Sequence, residues 1–199
     1  MKILAVADNE DPYLWDHYRP GRLAGIDVIL SAGDLKPEYL SFLVTMANRP
    51  LYYVHGNHDG IYQRRAPEGC ECIDDTLVKV NGVRILGLGG ARLYNGGPYQ
   101  FSDSQMKRRI RKLYWKLYRA RGVDIVLTHA PPAGYGDADD IAHRGFESFL
   151  PLLDRYHPRY LIHGHVHRSY QAHTFQREIL YQQTIVCNAA GRTVIDLDI

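Results

Sequence analysis

The chain is poor in cysteine: Cys70, Cys72 and Cys187 are the only three among its 199 residues. So small and odd a number builds no disulfide framework and points to a reducing, cytoplasmic setting. No segment approaches the roughly 20 apolar residues that a membrane span requires. The opening run Met-Lys-Ile-Leu-Ala-Val-Ala has one early lysine but stops at Asp8, so it does not read as a secretory signal. An excess of charge of one sign is also missing. With 24 Lys and Arg against 22 Asp and Glu, the net charge of +2 identifies no partner. Repeats, low-complexity tracts and linker-like stretches are absent from the sequence, so residues 1–199 read as one domain long enough to bury a core.

What the chain does have is ten histidines beside fifteen tyrosines. Histidine is the commonest metal ligand and the acid or base of neutral pH, so the positions of the ten matter more than their number. Short apolar runs recur at Lys2–Ala7, Asp27–Ser31, Leu51–Val54, Asp124–Leu127 and Tyr160–Ile162, and each reads as a buried strand. Helix-like stretches lie between them at Glu38–Ala47, Gln105–Arg121 and Gly145–Tyr156. This alternation predicts α/β layering with parallel strands. Asn81-Gly82 between Thr76–Val80 and Val83–Leu88 predicts a hairpin, and strands are expected again at Glu178–Cys187 and Thr193–Leu197. A mixed sheet, or two packed sheets, fits this order better than a doubly wound sheet.

The five strand-like runs end in Asp8, Gly33-Asp34, Gly56-Asn57-His58-Asp59, His129 and Gly164-His165-Val166-His167. In α/β sheets ligands gather beyond the carboxyl ends of strands, where these side chains can meet. Any one of them alone is more simply a strand or helix cap; five in series are hard to explain that way. A mixed nitrogen and oxygen donor set suits Mn, Fe, Zn or Co better than an all-oxygen Mg or Ca cage.

The order of these blocks over nearly the whole chain resembles the calcineurin-like metallophosphoesterase family. The resemblance implies two mixed β-sheets packed face to face and flanked by helices, a four-layer sandwich. It implies a hydrolase of phosphoester bonds with two divalent metal ions, Mn foremost, with Fe, Zn, Co, Ni or Mg as alternatives. Asp8 and His167 would bind the first metal, Asn57, His129 and His165 the second, and Asp34 would bridge them. Metals roughly 3.5–4 Å apart would present a bridging hydroxide to phosphorus. His58 would act as the acid at the leaving oxygen, with Asp59 orienting it. Among the family's small relatives, diesterases on nucleotide-like substrates favour the phosphodiesterase reading slightly over the phosphatase. The rival is a scaffold for protein interaction that has lost activity.

One block departs from the family pattern. Where the family has Asp-x-His, this chain has Asp8-Asn9-Glu10. Either Glu10 is itself a ligand, tilting the first site toward Mn²⁺ or Mg²⁺, or it swings out and leaves that site weakly occupied. With two divalent ions, Asp8, Asp34 and a hydroxide, the site keeps one net positive charge. Adding Glu10 removes it and weakens the pull on phosphate.

Weaker signals remain. His143 and Arg144 lie where family loops border the substrate cleft and are, with Asn57, candidate phosphate contacts, against the plainer reading of a capping surface loop for the first two. The glycines around Tyr94-Asn95-Gly96-Gly97 would let a backbone approach the site. Residues 104–121 hold eight of the 24 basic residues and no acid. Ser102 with Gln105 predicts a capping box; Met106, Ile110, Leu113 and Leu117 would face the core, and Arg108, Arg111, Lys112, Trp115 and Arg119 would face out. Such a face can track nucleic acid, but more often it is a solvated helix surface. Cys70-x-Cys72 lacks a second ligand pair, which argues against zinc there. Cys187 is expected in the core, His55 and His163 beside the motifs, and His17, His157 and His173 on the surface.

Overall fold

A computed structural model describes residues 1–167 and 175–198. Two sheets dominate it. The first has five strands: β1 (Lys2–Ala7), β2 (Val28–Ser31), β3 (Leu51–Tyr53), β4 (Glu71–Cys72) and β13 (Gly191–Asp196), in the order β13-β1-β2-β3-β4. β1 to β4 run parallel, and β13 joins β1 antiparallel. The second has six: β5 (Thr76–Val80), β6 (Val83–Leu88), β9 (Ile125–Thr128), β10 (Tyr160–His163), β11 (Glu178–Tyr181) and β12 (Thr184–Asn188), in the order β11-β12-β10-β9-β6-β5. β7 (Ala91–Arg92) and β8 (Gln100–Phe101) form a small parallel pair.

Alternation along the strands explains the packing. Ile3, Ala5 and Ala7 of β1 join Leu30, Ile85, Leu127 and Ile162 in the core between the sheets. Leu4 and Val6 point the other way, to Tyr39, Leu40 and Leu43 of α1 (Pro37–Ala47). On the opposite side, Leu86, Val126 and Leu161 meet α2 (Asp103–Arg119) and α3 (Phe149–Tyr156). The result is the expected helix, sheet, sheet, helix sandwich.

Local signals account for most boundaries. Asn81 and Gly82 both take positive φ (49° and 91°) and close the β5–β6 hairpin. The Ser102 hydroxyl accepts the Gln105 NH (3.2 Å), and the Gln105 side chain accepts the Ser102 NH (2.7 Å), completing the capping box. Met106, Ile110, Leu113 and Leu117 are buried, while Arg108, Arg111, Lys112, Trp115 and Arg119 are exposed as expected. The helix expected from Gly145 instead starts at Phe149. The residues before it are tied back to the preceding loop, with Gly145 NH on the Asp137 carboxylate (3.0 Å) and Phe146 NH on the Pro131 carbonyl (3.0 Å). The expected run Glu178–Cys187 divides into β11 and β12 at a turn where Gln182 takes a φ of 51°.

Candidate metal centre

β1, β2 and β3 of one sheet and β9 and β10 of the other deliver their carboxyl ends to one edge of the sandwich. Backbone bonds stitch the loops there: Asp8 NH to Gly33 O (3.1 Å) and Gly164 NH to His129 O (2.9 Å). The motif glycines are where loops touch. A Cβ on Gly56 would fall 2.0 Å from Asp34 Oδ1, and one on Gly164 would fall 2.6 Å from Asp8 Oδ2. Three site residues, Asp8, Asp34 and His165, take left-handed φ values of 63°, 57° and 69°. Non-glycine residues adopt that conformation at a cost, and such strain concentrates at functional sites.

The imidazoles reveal which nitrogens are free. His129 Nδ1 lies 2.7 Å from the Ala32 carbonyl. A carbonyl only accepts, so Nδ1 carries the proton and donates, leaving Nε2 to face Asp34 Oδ2 at 3.3 Å and Asn57 Oδ1 at 3.1 Å. Asn57 is turned that way by its amide nitrogen, which donates to the Tyr94 hydroxyl (3.3 Å). His165 Nε2 donates to the Ala142 carbonyl (2.7 Å), which frees Nδ1. Asp34, His129 and His165 each offer a ligand atom within 4.8 Å of the other two. Ligands at about 2.1 Å from one ion and roughly at right angles stand about 3.0 Å apart, near the His129–Asn57 and His129–Asp34 separations. Carbonyl acceptors behind ligand histidines are the usual way such rings are oriented.

The electrostatics favour a cation. Burial, together with nearby Asp34, pushes Asp8 up to about 7, although His129 pulls against the rise. Burial and Asp34 likewise push Asp59 up to about 6. Burial opposes charge on Asp34 as well, yet His129 and hydrogen bonds from His129 and the His58 NH bring it down to about 2. Burial works against a charged His129, but Asp34 and Asp8 hold its pKa up at about 9. Burial and the neighbouring His129 push His165 down to about 3, so its imidazole is neutral as a ligand must be. Asp8, Asp34 and Asp59 crowded beside the neutral His165 form a site suited to positive charge, and the raised pKa of His129 reports the same pull.

The remaining expected residues fall as follows. Both Asp8 carboxylate oxygens accept the His165 NH (2.9 and 3.0 Å). His167 Nδ1 is 3.3 Å from the Asn9 amide nitrogen. The exposed His58 ring (74% of the side chain) stands 4.0 Å from Asp34 Oδ2, and its NH donates to Asp34 Oδ1 (2.8 Å). Asp59 Oδ2 accepts the Gly56 NH (2.7 Å) and the Asp34 NH (3.0 Å), fastening the loop that bears His58. Glu10 turns to the start of α1, where Oε1 accepts the Lys36 NH (3.0 Å) and Oε2 is 3.8 Å from the Lys36 ammonium. Glu10, Lys36, Asp34, His58 and Ile61 line an open cleft at the site. His143 is bound to Asp140 (2.9 Å), and its ring lies 5.1 Å from that of His165. Arg144 is exposed on the same loop and forms no ion pair among the described residues.

Sequence reasoning missed the Ala32 and Ala142 carbonyls and the Tyr94 hydroxyl. Backbone acceptors carry no residue signature, and Tyr94 stood out only for its glycine neighbours. Cys187 is buried, His163 closes β10 and His55 follows β3, while His17 and His157 are exposed. His173 lies outside the described residues.

With this geometry, the family is clear. The calcineurin-like phosphoesterase family model matches residues 1–169, and the chain belongs to that family. Among curated relatives, UPF0046 protein T07D4.2 of Caenorhabditis elegans is 31% identical over 100 residues, covering 49% of this chain and 24% of that protein. UPF0046 protein K07C11.7 of the same organism is 24% identical over 177 residues, covering 72% of this chain and 57% of that protein. The match thus spans about a quarter to somewhat over half of those relatives' length. Two solved structures share the fold. TT1561 of Thermus thermophilus has a TM-score of 0.60 at 18% identity, covering 96% of this chain and 89% of that one. GAP50, described as the anchor in the inner membrane complex of Plasmodium, has a TM-score of 0.55 at 16% identity, covering 95% and 71%. Among the described residues, no helix is long and apolar enough to cross a membrane.

Proposed function

We propose that this chain hydrolyses phosphoester bonds, with phosphodiesters slightly preferred, at a metal centre built on Asp34, Asn57, His129 and His165. The observation that carries this reading is His129, whose Nε2 faces two oxygen ligands while its Nδ1 is bound to a backbone carbonyl. Asp34 would also serve a second position, with Asp8 and His167 as its further ligands. Divalent cations held by these residues, Mn²⁺ foremost, would supply a nucleophile from water at neutral pH and would neutralise the phosphoryl oxygens.

The chain's own groups do the rest. Ala32 and Ala142 fix the ligand tautomers. Asp59 fastens the Gly56–Asp59 loop to Asp34, so the His58 ring stays over the centre on the open cleft. From there it donates a proton to the leaving oxygen. His143, near the His165 ring, stands at the rim as a phosphate contact, with Arg144 on the same loop. Glu10 is the N-terminal acid of α1 rather than a ligand, which keeps one net positive charge for the substrate.

A scaffold role is the second reading. It is favoured by the engagement of Glu10 with Lys36, away from the metal donors, and by the fold shared with a protein described as an anchor. A scaffold, however, has no use for an exposed His58 beside the Asp34, Asn57, His129 and His165 donors. The test is turnover of chromogenic mono- and diesters by the metal-free protein after Mn²⁺ is added, comparing wild type with His58→Ala. A loss of about 10²–10⁴-fold in the variant, with metal content unchanged, supports the acid role. No turnover by a folded, metal-loaded wild type supports the scaffold.

A further inference from the structure

A second group of metal-type donors lies outside this centre. Cys72 ends β4, His55 follows β3, and Asp74 follows β4. β3 and β4 are parallel neighbours with Tyr53 opposite Cys72, so the residues two places on, His55 and Asp74, are brought side by side. His55 Nδ1 lies 2.7 Å from Asp74 Oδ2 and 3.7 Å from Cys72 Sγ, and one ligand atom of each residue falls within 4.8 Å of the other two. Cys72 therefore gains His55 from across the strand pair and Asp74 from just beyond its own strand.

The donors are held in place. The His55 ring stacks on Tyr99 (centroids 4.2 Å apart, planes at 12°) and meets the Tyr53 ring edge-on at 5.4 Å. Asp74 Oδ1 accepts the Gly89 NH (2.8 Å), which leaves Oδ2 for the cluster. Gly89 approaches so closely that a Cβ there would fall 2.4 Å from Asp74 Oδ1. A backbone donor behind a carboxylate and a stacked ring are the supports that orient metal ligands.

We infer that Cys72, His55 and Asp74 form a separate zinc site with its fourth position open to solvent beside the exposed Cys72. Thiolate and imidazole together select Zn²⁺ over the harder cations. Zinc bonds of about 2.0–2.3 Å in tetrahedral array place S and N about 3.6 Å apart and N and O about 3.4 Å apart. The first already matches; the second requires the His55–Asp74 contact to open by roughly 0.7 Å. Thiolate and carboxylate together cancel the ion's charge. Binding replaces the His55–Asp74 hydrogen bond: the His55 Nδ1 proton of that bond and the Cys72 thiol proton both pass to solvent, and the ring keeps its proton on Nε2. The site fastens β4, an edge strand paired through only two residue pairs, to the segment that leads into Asn57.

The test uses Co²⁺ as a spectroscopic substitute for zinc on the metal-free full chain. Sulfur-to-cobalt charge transfer gives a near-ultraviolet band that the nitrogen and oxygen donors of the Asp34 centre do not produce. The expected result is a band in wild type that Zn²⁺ abolishes, that is lost in Cys72→Ser and retained in Cys70→Ser, with all three proteins unfolding alike without metal. Absence of the band in wild type overturns the site, as does its survival in Cys72→Ser. Turnover plays no part in this readout, so its failure and that of the phosphoesterase reading are distinguishable.

Discussion

Glu10 and Lys36 form a local pair, with the carboxylate accepting the Lys36 backbone NH at 3.0 Å and lying 3.8 Å from its ammonium. Lys36 is the N-cap of α1 and makes no capping bond with its side chain; Glu10, from another loop, instead accepts the N-cap residue's own backbone NH, the bond that an N3 side chain makes in a capping box. The departure from the family's Asp-x-His block thus has a structural use. Glu10→Ala should leave metal content unchanged and lower stability by about 1 kcal/mol, read by denaturant melts. A drop in bound metal would return Glu10 to the ligand set.

Restoring the family residue gives the complementary prediction. Glu10→His places an imidazole beside Asp8 and His167 and should raise Zn²⁺ affinity at the first position, measured by calorimetric titration. Unchanged affinity would mean that the loop bearing residue 10 does not reach the centre.

Gly56 has no room for a side chain. A Cβ would meet Asp34 Oδ1 at 2.0 Å and the Asp34 backbone nitrogen at 2.7 Å, so backbone as well as side chain must move. Gly56→Ala should therefore cost about 1–3 kcal/mol and also weaken metal binding, since Asp34 cannot stay in place. Wild-type metal content in this variant would show that Asp34 is not a ligand.

Away from the centre, Arg84 and Asp124 tie α2 and β9 to the β5–β6 hairpin. Asp124 accepts from the Arg84 backbone NH (2.7 Å), Nε (2.8 Å) and Nη2 (2.6 Å), and these bonds from Arg84 lower its pKa. A lowered carboxylate stabilises the fold above its unfolded value, about 3.9, and that contribution disappears as pH falls through the folded value. Asp124→Asn should cost about 1–3 kcal/mol at neutral pH and flatten the loss of stability in acid below about pH 4. An unaltered acid limb in the melting curves would contradict this.

The sequence made the candidate metal centre readable because each block of candidate ligands closes a strand whose apolar run is visible: β1 before Asp8, β2 before Asp34, β3 before Asn57, β9 before His129 and β10 before His165. Continuous apolar runs and the Asn81-Gly82 turn likewise made the buried strands and the hairpin readable, while the four-layer sandwich followed from the family resemblance. Other parts had no such signal. β4, β7 and β8 are two residues each, too short for any periodicity. The start of α3 was hidden because Gly145 and Phe146 bond to residues of the preceding loop. The Cys72–His55–Asp74 group spans residues 55 to 74 with no motif spacing, and only the register of β3 against β4 brings it together. The role of Glu10 also depended on a contact with Lys36, 26 residues away.

If Asp34 organises a phosphoester-hydrolysing metal centre, metal uptake and turnover both depend on its carboxylate. The most direct test is one measurement on paired samples: bound Mn²⁺ and chromogenic diester turnover in wild type and Asp34→Ala, with folding checked by circular dichroism. The expected result is Mn²⁺ uptake and Mn²⁺-dependent turnover in wild type, and loss of both in the folded variant. Equal metal content and equal turnover in the two proteins would contradict it.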